Sequence, residues 1–145
     1  MQKSKNTVQT QRFIQMNFRV ITWGEFDEAL SRFPKPICND LYAVPRGGLV
    51  LGVALSHRFN KPLVSVPNSM SILVDDIADS GKTLRDIRLV KRFPLPAYVL
   101  CRRYTCTDKA ITSAIEIDND DWIVFPWENL EQAEKDYEQY KSTHK

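Results

Sequence analysis

The stretch SILVDDIADSGKTL, residues 71–84, decides the fold. It opens with the apolar, partly β-branched run Ile72–Val74, which is typical of a buried strand. After Gly81, Leu84 and Ile87 recur at helical spacing until Pro94 ends the pattern. A strand that turns directly into a helix is half of a βαβ unit, so this stretch predicts an α/β protein whose chemistry lies at the carboxyl ends of its strands.

The rest of the chain continues this alternation. Turn residues and proline separate further short apolar runs from segments with helical periodicity. The predicted elements are a capping-box helix starting after Thr22, strands at Leu41–Val44, Leu63–Val66, Ala97–Cys101 and Trp122–Phe125, and helices at Leu49–Phe59 and from about Asn129. We therefore predict a mainly parallel, twisted sheet flanked by helices.

Length and composition define the class of protein. With 145 residues and 43% hydrophobic content, the chain predicts one domain over residues 16–145, preceded by a flexible extension over residues 1–15. The formal net charge of +2 gives no general case for nucleic-acid or membrane binding, and we expect neither partner. The three cysteines form no CxxC pair, so we expect a cytoplasmic protein with reduced thiols.

The acidic turn after the central strand carries the chemistry. Asp75 and Asp76 are followed by Asp79, and then Ser80–Thr83 open a helix. The exposed N–H groups and hydroxyls of such a helix start suit a phosphate group. Carboxylates beside a phosphate are useful when they hold sugar hydroxyls or act through Mg²⁺. The turn therefore predicts a site for a phosphorylated sugar.

This turn has two other interpretations. Gly81, Lys82 and Thr83 spell the end of a Walker A loop, but that loop needs a glycine where this chain has Asp76. The second reading is an ordinary capped helix with a solvated acidic turn. Three carboxylates within five residues, directly followed by Ser-Gly-Lys-Thr, favour the ligand site over that reading.

The segment VDDIADSGKT resembles the motif of the type I phosphoribosyltransferases that binds 5-phosphoribosyl 1-pyrophosphate (PRPP). Two other segments agree with this resemblance. AVPRGGLVLGVAL, residues 43–55, is similar to the pyrophosphate-binding loop and helix of the purine enzymes, and DWIVFPWE, residues 121–128, resembles the end of bacterial xanthine-guanine phosphoribosyltransferases.

The resemblance implies a role for each matching residue. Asp75 and Asp76 would hold the ribose hydroxyls, directly or through Mg²⁺. Asp79 would act as the general base toward the incoming nitrogen. Arg46 and Gly47 would contact the pyrophosphate. The residues implied to bind PRPP are Asp75, Asp76, Asp79, Ser80, Gly81, Lys82 and Thr83.

The resemblance also implies a base pocket. Trp122 would stack on the base, and the backbone carbonyl of Ile123 would read its edge. In the similar enzymes a lysine contacts the 6-oxo group; alignment from Asp79 reaches Arg102, and alignment from Trp122 reaches Arg103. An arginine at this place leaves the preferred base open. A solvated basic strand end remains the alternative for both arginines, as core packing does for Trp122.

The expected activity is Mg²⁺-dependent transfer of phosphoribose from PRPP to a 6-oxopurine: guanine, xanthine or hypoxanthine. Longer family members carry a mobile hood before the PRPP strand, whereas only Pro67–Ser71 fills that place here. We therefore expect weaker exclusion of water from the site and weaker binding of PRPP, unless a neighbouring subunit or the N-terminal extension covers it. The alternatives are a PRPP- or nucleotide-sensing regulatory protein, and transfer to a different acceptor. The resemblance also implies a homo-oligomer, a dimer or tetramer.

Overall fold

The computed structural model describes residues 17–143; the predicted extension, residues 1–15, lies outside this range. The described chain alternates strands and helices, as the sequence predicts. Within residues 17–143 the elements are β1 (Phe18–Val20), α1 (Trp23–Leu30), β2 (Asp40–Ala43), α2 (Leu49–Phe59), β3 (Ser71–Ala78), α3 (Lys82–Lys91), β4 (Ala97–Arg103), β5 (Ile111–Ile117), β6 (Trp122–Val124) and α4 (Leu130–Thr143).

The chain divides into two compact units. The larger is Phe26–Asn119, and the described part of the smaller comprises residues 17–25 and 120–143.

The larger unit is built on a parallel sheet in the order β2-β3-β4-β5. Each strand pairs with the next in the chain, and every pairing is parallel, with Ala43 opposite Val74 and Ala78 opposite Arg102. Parallel neighbours need a crossover connection, and helices α2 and α3 provide the first two. The predicted α/β fold, a parallel sheet flanked by helices, is confirmed.

The core of this unit lies between the sheet and its helices. Leu73, Val74 and Val99 are fully buried in β3 and β4, and Leu51 and Leu55 are fully buried on α2. Burial on both faces is normal for the central strands of a parallel sheet and accounts for their continuous apolar runs.

The smaller unit contains a second, two-stranded parallel sheet. Strand β1 pairs with β6, with Phe18 opposite Trp122 and Val20 opposite Val124. Helix α4 packs on it through buried Ala133, and the ring of Tyr137 meets that of Phe18 edge-on at 4.9 Å. The predicted capping box is present: the backbone N–H of Glu25 donates to Thr22 Oγ1 at 3.1 Å.

Several predicted boundaries are wrong. Strand β3 continues to Ala78, so Asp75 and Asp76 belong to its carboxyl end instead of the turn beyond it. The predicted strand Leu63–Val66 is reduced to one bridge between Leu63 and Leu41, because this segment runs along the outer edge of β2. Strand β5 was not predicted, since its polar residues obscure the apolar pattern; it is the opposite edge strand of the sheet.

Within residues 17–143, no helix combines the length and the apolar character that crossing a membrane requires.

Candidate active site

The carboxyl end of β3 presents two adjacent carboxylates. Asp75 is buried and Asp76 is half-buried. Each accepts a backbone hydrogen bond through one oxygen: the N–H of Asp76 donates to Asp75 Oδ1 at 2.8 Å, and the N–H of Ile77 donates to Asp76 Oδ1 at 2.7 Å. These bonds fix both side chains at the strand end.

This pair is costly to ionise without a ligand. Burial and, second, the neighbouring Asp76 carboxylate together raise the pKa of Asp75 to about 8. Burial likewise raises the pKa of Asp76. The strand end is therefore prepared to receive positive charge or hydrogen-bond donors.

The donor chemistry of the pair fits Mg²⁺. Among residues 17–143, no group of three His, Cys, Asp or Glu side chains is placed to hold a metal ion. Two carboxylates are nevertheless a normal protein contribution to a magnesium site, because Mg²⁺ usually takes its remaining ligands from water and substrate phosphates. Asp75 and Asp76 would hold the ion only together with such a substrate.

The turn after β3 forms the rest of the pocket. Residues 75–84 line a cavity of about 240 Å³. Gly81 has a φ of 83°, in the left-handed region that favours glycine, and α3 begins at the next residue. The N–H of Lys82 faces Ser80 Oγ at 3.3 Å, while Arg85 Nη1 donates to the carbonyl of Ser80 at 2.6 Å. The predicted phosphate-cradling residues therefore surround one cavity with Asp75 and Asp76.

The loop after β2 lies directly against this strand end. A Cβ atom on Gly47 would overlap the Asp76 carboxylate. One on Gly48 would stand 2.5 Å from the carbonyl oxygen of Val74 and 2.8 Å from that of Val44. Both glycines are needed for this close approach. Arg46 is exposed beside them, and the Pro45–Arg46 peptide bond is cis.

Asp79 is paired with one of the two arginines of β4. Arg103 Nε donates to Asp79 Oδ1 at 2.5 Å, and Arg103 Nη1 donates to the carbonyl oxygen of Asn119 at 2.7 Å. The Asp79 carbonyl oxygen accepts from Thr105 Oγ1 at 2.7 Å. The Arg103 side chain is 11% exposed, whereas that of Asp79 is 58% exposed. The candidate general base, Asp79, is thus exposed to solvent and is hydrogen-bonded by Arg103 and Thr105.

The other arginine is engaged elsewhere. Arg102 donates to both carboxylate oxygens of Glu116, from Nε at 3.2 Å and from Nη2 at 2.6 Å. Its Nη1 donates to the carbonyl oxygen of Ile111 at 2.9 Å. Successive residues of a strand point to opposite faces, which explains why the two neighbours have different partners. The structure brings Arg103, and not Arg102, to Asp79.

The two remaining base-pocket residues belong to the smaller unit. Ile123 is buried in β6. Trp122 is half-buried, and its ring centroid lies 5.6 Å from that of Tyr137 and 5.2 Å from that of Tyr140. Both tyrosines lie on helix α4, and the sequence gave no sign that they would meet Trp122.

Sequence reasoning missed three polar contacts of the site. Arg85, Thr105 and Asn119 support Ser80, Asp79 and Arg103 respectively. Arg85 was open to detection, because it lies one turn beyond the start of α3. Thr105 and Asn119 belong to loops whose position depends on the unpredicted strand β5.

Comparisons with known proteins identify the fold. No family model matches the sequence, and no curated protein matches it. Among solved structures, the chain is similar to a purine phosphoribosyltransferase from Pyrococcus horikoshii Ot3, with a TM-score of 0.63 and 24% identity over 78% of this chain and 95% of that one. It is similar to the Helicobacter pylori xanthine-guanine-hypoxanthine phosphoribosyltransferase, with a TM-score of 0.64 and 18% identity over 86% and 99% of the two chains. A hypothetical protein from Neisseria gonorrhoeae with bound ppGpp has a TM-score of 0.61 and 15% identity over 85% and 98%.

Proposed function

We propose that this chain, which has the type I phosphoribosyltransferase fold, transfers the 5-phosphoribosyl group of PRPP to a 6-oxopurine and releases pyrophosphate. One observation carries the proposal. Two carboxylates suited to sugar hydroxyls and a helix-start cradle suited to phosphate line the same cavity at the end of β3. A phosphorylated ribose carries hydroxyls and a phosphate on one molecule, so it can bind the carboxylates and the helix start at the same time.

Different residues bind the three parts of the PRPP molecule. Ser80–Thr83 hold the 5-phosphate with backbone N–H groups and hydroxyls. Asp75 and Asp76 accept hydrogen bonds from the ribose hydroxyls. Arg46 and the backbone of Gly47 contact the pyrophosphate, since that loop touches Asp76. The reacting carbon is thereby fixed between the phosphate cradle and the pyrophosphate loop, which is the main source of rate acceleration for such a transfer.

Mg²⁺, when bound with the substrate at Asp75 and Asp76, would supply positive charge that stabilises the departing pyrophosphate. The protein's own contribution is to hold the ribose and to manage the proton of the acceptor. Asp79, which lines the cavity, takes or shares the proton of the attacking nitrogen through its carboxylate.

The 6-oxopurine class is favoured by the donor near Asp79. Arg103 can only donate hydrogen bonds, and an oxo group accepts them, whereas the amino group of adenine is itself a donor. Trp122 and Ile123 are proposed to contact the base, Trp122 by stacking. The named functions of the P. horikoshii and H. pylori proteins agree with a purine acceptor.

A pyrophosphate-release assay tests the proposal. The protein is incubated with PRPP and Mg²⁺, with guanine, xanthine, hypoxanthine, adenine, uracil or no base added. We expect release that depends on a 6-oxopurine and forms the matching nucleoside monophosphate. Binding of PRPP with no pyrophosphate release in all of these mixtures would exclude transfer to a 6-oxopurine.

The second candidate function is a sensor that binds PRPP or a nucleotide without transfer. The ppGpp-bound N. gonorrhoeae structure favours it, because a protein of this fold can hold a guanine nucleotide. The short Pro67–Ser71 connection also agrees with a site that performs no water-sensitive chemistry. Calorimetric titration with ppGpp and with PRPP, followed by addition of a 6-oxopurine, separates the two functions: a sensor binds without turnover, and an enzyme consumes PRPP once the base is added.

A further inference from the structure

The segment that replaces the hood is anchored away from the cavity. Asn68 Nδ2 donates to Asp40 Oδ2 at 2.8 Å, and Ser71 Oγ donates to Asp40 Oδ1. Asp40 and Ser71 are the first residues of β2 and β3, whereas the cavity lies at the other end of β3. The Pro67–Ser71 connection is therefore fixed to the amino end of the sheet and does not cover the site.

Because this connection leaves the cavity uncovered, bound PRPP is exposed to a competing reaction. Asp79 has a side chain that is 58% exposed, so water reaches the candidate general base. In the unwanted reaction a water oxygen bonds to the anomeric carbon of the ribose and the bond from that carbon to pyrophosphate breaks. The pyrophosphate leaves with the electron pair, and the water proton passes to the Asp79 carboxylate.

The Arg103 contact occupies that carboxylate in the free protein. Its Nε donates to Asp79 Oδ1 at 2.5 Å, and the same guanidinium is tied to the Asn119 carbonyl. Because the Arg103 side chain is 11% exposed, little water competes for its donors. A carboxylate whose oxygen already accepts a charge-assisted hydrogen bond is a poorer acceptor for a water proton.

We infer that Arg103 is a positioning residue that restrains Asp79 from activating water until an acceptor base enters, so that it partly replaces the missing hood. This inference rests on the proposed transferase function. A 6-oxopurine carries an oxo oxygen and ring nitrogens on one rigid edge, so it offers Arg103 and Asp79 new partners together. Neither charged group is then left unpaired when the ion pair opens.

The test compares pyrophosphate release without a base between wild type and Arg103→Met. The variant keeps the apolar stem and removes the guanidinium. We expect the rate of acceptor-free PRPP hydrolysis to rise at least about tenfold over wild type, since general-base catalysis is worth more than that. The matched control is Arg102→Met, which loses the neighbouring guanidinium and its Glu116 pair and is expected to hydrolyse PRPP without a base at the wild-type rate.

A double variant distinguishes restraint of Asp79 by Arg103 from a general opening of the site. Arg103→Met combined with Asp79→Asn is expected to lose the extra hydrolysis, because no carboxylate remains to be released. Hydrolysis that stays high in the double variant would assign the effect to general opening of the site and overturn the inference. Arg103→Lys keeps a charged donor and is expected to hydrolyse PRPP at a rate between wild type and Arg103→Met; it also provides a folded variant if the methionine variant is unstable.

Failure of the inference differs from failure of the proposed function. If wild type transfers to a base and Arg103→Met and Arg103→Lys hydrolyse PRPP no faster than wild type, the inference is overturned and the transferase stands. If no base is an acceptor but Arg103→Met hydrolyses PRPP through Asp79, the restraint is supported and the transfer reaction is excluded.

Discussion

At the scale of single residues, the Asp75–Asp76 pair couples stability to pH. An acid whose pKa is raised by folding binds its proton more tightly in the folded state. Its contribution to stability is therefore complete below its ordinary pKa and is lost as the pH rises toward the folded value. For Asp75 that window runs from its ordinary value of 3.8 to about 8.

Asp75→Asn tests this coupling in the absence of divalent cations. Near pH 4 the variant and wild type should have similar free energies of unfolding. At pH 7 the variant should be more stable by on the order of 3 kcal/mol, because it has no buried charge to maintain. Urea unfolding in EDTA at a series of pH values measures the difference, and a difference that does not change with pH contradicts the assignment.

Gly48 is a residue-scale constraint of another kind. Gly48→Ala places a methyl group against two backbone oxygens, those of Val74 and Val44, which have no flexible side chain to move aside. We expect a loss of about 1–3 kcal/mol of stability from the displaced loop. Gly24→Ala is the control, because its added Cβ meets only Thr22 Oγ1 at 3.8 Å. Equal unfolding curves for the two variants would show that the β2 loop is free to move away from β3.

At the scale of elements, the connection between α2 and β3 depends on Asp40. This buried carboxylate accepts from Asn68 and Ser71 and fixes the turn to the start of the sheet. Asp40→Ala leaves those donors unpaired, so we expect a loss of about 1–3 kcal/mol of stability. Because the turn is at the opposite end of β3 from the cavity, PRPP affinity in calorimetry should be retained. A large loss of affinity without a loss of stability would place this turn near the ligand.

The elements also show what the sequence could and could not predict. The βα unit around Asp75 was readable because its strand is buried on both faces and its turn has a specific chemistry. Strand β5 was not, because at the sheet edge polar residues such as Thr112 and Glu116 are tolerated between its isoleucines. Without β5 the sequence could not show that Asn119 meets Arg103, or decide between Arg102 and Arg103.

At the scale of the whole molecule, ligand binding should appear as stability. A ligand that binds only the folded state stabilises it by about 2.7 kcal/mol at a concentration one hundred times its Kd. We expect PRPP with Mg²⁺ to raise the unfolding midpoint more than PRPP or Mg²⁺ alone, because Asp75 and Asp76 need the substrate to complete a magnesium site. Asp76→Asn should remove the cooperative part of this shift. Equal stabilisation by PRPP with and without Mg²⁺ would contradict joint binding of the metal and the substrate.

The two neighbouring arginines of β4 have different roles because they occupy successive positions on one strand. Arg102 locks the sheet edge and Arg103 restrains an acid, although a single peptide unit separates them. A slip of one residue in the pairing of β4 would send each guanidinium to the opposite face. The pairing register of β4 with its two neighbouring strands thus determines which of the two arginines reaches Asp79.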